Sequence, residues 1–109
     1  MGAPGTTETE WKVVGYTVYA LNDKRGVNRF SASVQPGFTD AHEPVGHNEL
    51  LANVHQMAAS GALYDALAAL FANYKELADS GDAGFWSIED QPVGKQALAA
   101  LALARGEQP

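Results

Sequence analysis

No cysteine occurs among the 109 residues of this chain. Disulfides and thiolate chemistry are therefore excluded, and a chain this small must be held by an apolar core or by oligomerisation. Basic residues are scarce: 7 Lys and Arg stand against 13 Asp and Glu, a formal net charge of −6. Only Lys24 and Arg25 are adjacent. Direct nucleic-acid binding draws on clustered cations that release counterions, so it is not expected. An acidic surface repels DNA and attracts basic protein surfaces, besides keeping a small domain soluble. Long apolar runs are also missing. The longest, near residues 97–104, falls far short of the ~20 residues that span a bilayer. Residues 1–10 lack the apolar segment of a signal peptide. No membrane partner is expected, and the lack of cysteine fits a protein of the cytoplasm.

What is present is an ordinary globular composition, 46% hydrophobic and 18% charged. The length suits a single domain over residues 1–109. Residues 1–9, rich in Gly, Pro, Thr and Glu, read as a disordered leader. Residues 11–21 hold the β-branched and aromatic types of a strand. Asn22-Asp23-Lys24-Arg25-Gly26 reads as a turn. Residues 27–35 read as the return strand, with Phe30, Ala32 and Val34 alternating with Arg29, Ser31 and Ser33. The expected hairpin therefore covers residues 11–35. Alone it is marginal, and it must be covered by helices or extended by another strand.

Three helices are expected over residues 48–105. The first begins near Asn48 and carries Leu50, Leu51, Val54, Met57 and Ala58. Ser60-Gly61 reads as a break. The second runs over residues 62–79. There Leu63, Leu67, Leu70, Tyr74 and Leu77 share an arc of about 80° at 100° per residue, with Asp65, Lys75, Glu76 and Asp79 opposite. That spacing predicts a buried leucine stripe. Ser80-Gly81-Asp82 reads as its end, with Gly81 as a left-handed cap. The third helix starts at Pro92, with Glu89 and Asp90 as N-terminal charges, and ends before Gly106. Its core stripe is Val93, Ala97, Leu98, Leu101 and Ala104, and Leu103 points well away from it. The fold class is α+β: an antiparallel β-hairpin, then a helical hairpin and a C-terminal helix, in the order ββααα.

Few residues invite chemistry. His42, His47 and His55 match no metal-ligand spacing, and His47 and His55 would lie ~12 Å apart along a helix. Ser31 and Ser33 lack the turn of a nucleophile, and the glycines form no phosphate loop. No catalytic residue, metal site or cofactor is expected, and no enzymatic activity. Trp11, Tyr16, Tyr19, Phe30, Phe85 and Trp86 read first as packing. Trp86 is also a candidate contact, since Trp and Tyr dominate binding hot spots.

Residues 53–67 read NVHQMAASGALYDAL. Asn53, Met57, Ala58, Ala59, Leu63, Tyr64, Ala66 and Leu67 follow the pattern Asn-Ala-x-Leu-Ile-Ala-Ala-Ala-Pro-x-Leu-(Leu/Tyr)-x-Ala-Leu, with Ser60-Gly61 for Ala-Pro and Gln56 for Leu. This resembles a motif of small accessory proteins of tailed bacteriophages and prophages. Residues 97–106, ALAALALARG, are similar to their Ala-Arg-Ala-Ala-Ile-Ala-Lys-Ala-x-Gly tail, with Leu98 for Arg and Leu103 for Lys. The resemblance implies a phage setting, hence the cytoplasm of a host cell, and a helical hairpin without catalysis. Small acidic phage proteins include inhibitors of host defence such as anti-CRISPR proteins. The expected activity is thus binding to a host protein or complex, at a basic nucleic-acid-binding surface. The alternative is a homo-oligomeric phage accessory protein, a homodimer for instance, with no host target. Leu103, Asp65, Glu76, Asp79 and Trp86 are the expected contact residues.

Overall fold

A computed structural model describes residues 2–22, 26–79 and 87–107. The chain is α+β: β1 (Trp11–Val14), β2 (Thr17–Leu21), β3 (Asn28–Ser33), α1 (His47–Asp79), a 3₁₀ turn over Ile88–Asp90, and α2 (Pro92–Ala104). It divides into two compact units. One is Thr7–Ser60; the other joins Gly2–Thr6 to Gly61–Pro109.

The first unit holds a three-stranded antiparallel sheet in the order β1-β2-β3. Residues 11–21 are therefore two strands, not the single strand expected. Gly15 explains the difference. It takes φ +56° at the first central position of a two-residue turn, a conformation that glycine adopts without a steric penalty. Register sets Trp11 beside Ala20 beside Phe30, and Val13 beside Val18 beside Ala32. These six share one face. Ala20 is small and fully buried, so the outer aromatic rings close over it: Trp11 and Phe30 meet edge to face at 5.0 Å. The other face is polar, with Thr17 and Ser33 hydroxyls 3.0 Å apart. The return strand expected over residues 27–35 is β3, shortened to Asn28–Ser33, and of its apolar positions Phe30 is half-buried and Ala32 exposed.

The buried side chains of this unit are Val18 and Ala20 of the sheet and Leu50 and Val54 of α1. Tyr16, in the β1–β2 turn, ties to the start of the helix. Its hydroxyl lies 2.5 Å from His47 Nδ1, and the two rings pack edge to face. Trp11 Nε1 donates to the Thr7 carbonyl at 3.1 Å.

α1 is one helix of 33 residues. The expected break at Ser60-Gly61 is absent, so the described chain has two α-helices and a 3₁₀ turn in place of three helices. An interior glycine costs only about 1 kcal/mol relative to alanine, which a long hydrogen-bonded ladder absorbs. Gly61 serves close approach. A Cβ added to Gly2 would stand 3.2 Å from Gly61 Cα, so the backbones of the N-terminal segment and the helix nearly touch. The leader expected to be disordered is correspondingly placed: Ala3 is buried, and the Gly2 amide donates to Asp65 Oδ1 at 2.9 Å.

This placement rotates the buried face of α1 away from the one expected. Leu63, Leu70 and Leu77, expected in the core, are 59%, 54% and 41% exposed, and Leu67 is half-buried. The more buried face adjoins the stripe on one side, running from Leu67 through buried Ala78, Phe71 and Tyr64 to Ala68 and Gly61. Without a turn at Ser60-Gly61, no preceding helix folds back over the leucines. α2 begins with Pro92 as expected, but Glu89 and Asp90 lie on the 3₁₀ turn before it. Its buried residues are Gly94 and Leu101, and Val93, expected in the core, is 67% exposed. Gly94 faces the turn instead: an added Cβ would lie 1.6 Å from the Ile88 carbonyl oxygen. The expected ends at Ser80-Gly81-Asp82 and the Phe85-Trp86 loop lie outside the described residues.

Two stability outcomes follow. Val54→Ala should cost about 2 kcal/mol in denaturant melts, from lost methyls plus a cavity. Leu63→Ala, on the exposed face, should stay within about 0.5 kcal/mol. A reversed order would restore the leucine stripe to the core. Gly94→Ala should destabilise by about 1–3 kcal/mol through overpacking, despite alanine's better helix propensity. A more stable Gly94→Ala protein would show that the 3₁₀ turn does not press on α2.

Candidate protein-contact surface

In the second unit, residues 61–79 of α1 and helix α2 run antiparallel. Two ties fix this. Arg105 Nη1 donates to the Tyr64 hydroxyl at 3.2 Å, and Lys75 pairs with Glu89 near the other end. Both ties sit beside the leucine stripe, which stays open. Between the helices lies a groove of about 780 Å³, walled by Leu67, Leu70 and Tyr74 on one side and Val93 and Ala97 on the other. Among the described residues its lining is apolar apart from Gln91 and the Tyr74 hydroxyl.

The charges here are mostly spent on local geometry. Lys75 holds the Glu89 carboxyl below its ordinary value of 4.5, helped by the Ser87 hydroxyl, which donates to Oε2 at 2.6 Å. Arg105 holds Glu107 low through a 2.7 Å contact from Nε, and the same carboxylate, with Tyr64, raises the guanidinium. Both ion pairs are open to solvent on at least one side, so they orient helix ends more than they stabilise them.

The expected contact residues are placed as follows. Leu103 is 68% exposed on α2, away from buried Leu101. Asp65 and Glu76 are exposed on one face of α1, eleven residues and ~16 Å apart along its axis. Asp65 is also engaged by the Gly2 amide. Asp79 is the last residue of α1, and its side chain, like Trp86, lies outside the described residues. The structure therefore joins Asp65 and Glu76 on one face and leaves Leu103 on another helix. Leu63, Leu70, Leu77 and Val93 are the surface residues that sequence reasoning assigned to the core. One signal marked them. The stripe repeats strictly as 4-3-4-3, the spacing of a seam between helices as much as of a globular core.

The histidines are separate. His42 lies in a loop at φ +60°, His47 binds Tyr16, and His55 is exposed on α1. Among the described residues no group of His, Asp and Glu could hold a metal ion. No described helix is long and apolar enough to cross a membrane. No family model, curated protein or solved structure matches the chain.

The Glu89 pairing has a pH signature. Its carboxyl is lowered on folding, so it contributes stability above its ordinary value of 4.5. That contribution fades as pH falls through the lowered folded value. Melts of the parent and of Glu89→Gln should differ at neutral pH, the parent being the more stable, and converge in acid. A difference that persists in strong acid would show that the residue acts through packing rather than charge.

Proposed function

We propose that the chain is a small acidic phage accessory protein that works by binding another protein, as a non-enzymatic, anti-CRISPR-like inhibitor of a host defence complex. One observation carries this reading. No Lys or Arg stands between Arg29 and Lys75, while Asp40, Glu43, Glu49 and Asp65 of that stretch are all exposed. A surface of this sign is complementary to a basic nucleic-acid channel, and steers association with it. The phage-like motifs of residues 53–67 and 97–106 supply the setting, the host cytoplasm. The exposed Leu103, where the similar tails carry Lys, supplies an apolar contact of its own.

The test is capture of a host complex on the immobilised protein, followed by competition with that complex's own nucleic acid. Inhibition should saturate at a fixed stoichiometry; multiple turnovers at sub-stoichiometric protein would replace this reading with an enzyme. Asp65→Lys with Glu76→Lys should slow association and flatten its dependence on salt. Leu103→Lys should weaken binding by burying an unpaired charge, while the isolated protein melts within about 0.5 kcal/mol of the parent. Binding that ignores all three substitutions and the salt concentration would remove the basic-channel target.

A further inference from the structure

We infer that α1 and α2 of the second unit are half of a four-helix assembly, completed by a second copy of this chain whose α1 lies antiparallel along Leu63, Leu67, Leu70, Tyr74 and Leu77. This goes beyond the target-binding reading and stands on different residues.

The spacing points to a self-match. About Leu70 the stripe is nearly symmetric, with Leu67 and Leu63 three and seven residues before it, and Tyr74 and Leu77 four and seven after. A two-fold axis at Leu70 sets Leu63 of one copy against Leu77 of the other, and Leu67 against Tyr74. Isologous contacts of this kind are the usual form of a homodimer. The seam is ~21 Å long and interdigitates as heptad positions do. Beside it α2 contributes Val93, 67% exposed in the same groove. Two antiparallel helices with an open apolar groove between them are what a four-helix bundle presents when divided in two.

Charge agrees. The bordering positions are Ala66 and Asn73 on one side and Tyr64 and Phe71 on the other, so no carboxylate flanks the seam in a chain of net charge −6. The antiparallel pair opposes the helix dipoles. Area fixes the strength. A fully exposed apolar side chain offers on the order of 100 Å², so these half-exposed ones give about 300 Å² per copy. Stable dimers bury ~800 Å² per partner, so the assembly is reversible and set by concentration.

Sedimentation equilibrium of the full chain over a wide concentration range tests this. The mass should rise from monomer toward dimer. Leu63→Glu and Leu77→Lys should each raise the dissociation constant at least about ten-fold, because each buries an unpaired charge. An equimolar mixture of the two should recover pairing, since Glu meets Lys at one end and Leu63 still meets Leu77 at the other. Circular dichroism at dilute concentration checks that both variants keep the parent's fold. Phe38→Glu, a charge placed on an equally exposed residue of the first unit, should leave pairing unchanged. A parent that stays monomeric throughout overturns the proposal. So do variants that pair as the parent does, or a mixture that pairs no better than its components.

Discussion

Everything in the second unit depends on α1 passing through Ser60-Gly61 without turning. A helix that turned there could lay its first half over its second and bury the leucines. A helix that does not turn must find cover for two apolar faces along residues 61–79, and α2 with the N-terminal segment supplies only one. The choice between these outcomes is small in energy. Glycine in a helix interior costs about 1 kcal/mol, and reversing the chain would forfeit several ladder hydrogen bonds and require new caps. Gly61 lies where the Gly2 backbone approaches, and the Gly2 amide reaches Asp65 one turn further on. The small residue that reads as a stop signal is used as a place of close approach.

The same fact orders the charges. Asp65 and Glu76 lie opposite the leucines, on the side that periodicity assigns to solvent. Both are exposed, as are Ala69 and Ala72 near them, and burial runs instead along Tyr64, Leu67, Phe71 and Ala78, beside the leucine stripe. A helix whose larger apolar residues face outward is stable in a single copy only if the inner contacts suffice. Here those contacts are the Gly2 backbone approach, buried Ala78 and half-buried Tyr64, Leu67 and Phe71. They are close-packed and low in area. Exposure of the leucines is the other side of that economy, and it is why a surface rather than a pocket chemistry characterises this unit.

Legibility followed the strength of the local signal. The polar and apolar alternation of β3 was readable because a two-residue period leaves one assignment of faces. The start of α2 was readable from Pro92, which has a missing N–H that a helix N-terminus tolerates. The β1–β2 turn was hidden because a lone Gly15 sits amid strand formers, and β-propensity is continuous across it. The leader was misread because composition reports average solvation, whereas its placement hangs on Ala3 and one amide. The leucine stripe was seen as a stripe and assigned to the wrong environment. Periodicity says that a face is apolar; it does not say whose residues cover it. The candidate contact residues divide likewise. Exposure of Leu103 could be read from its angle on the helix, while the engagement of Asp65 by Gly2 involves a partner sixty-three residues away.

The two units differ in the physical type of the surface each presents. Asp40, Glu43 and Glu49 of the first unit stand exposed in a stretch free of Lys and Arg, a long-range attraction that acts before contact and weakens with salt. The second unit offers apolar side chains, which act only after contact and are insensitive to salt. Two of its cations are held close to home, Lys75 by Glu89 and Arg105 by Glu107 and Tyr64, while Lys95 stands exposed on α2. These pairs do more than fix helix ends. They place the charges of Lys75 and Arg105 beside the groove already partnered. An apolar groove framed by satisfied ion pairs imposes little electrostatic selection of its own. What it has instead is shape, and the 4-3-4-3 spacing beside it is that of a seam between helices.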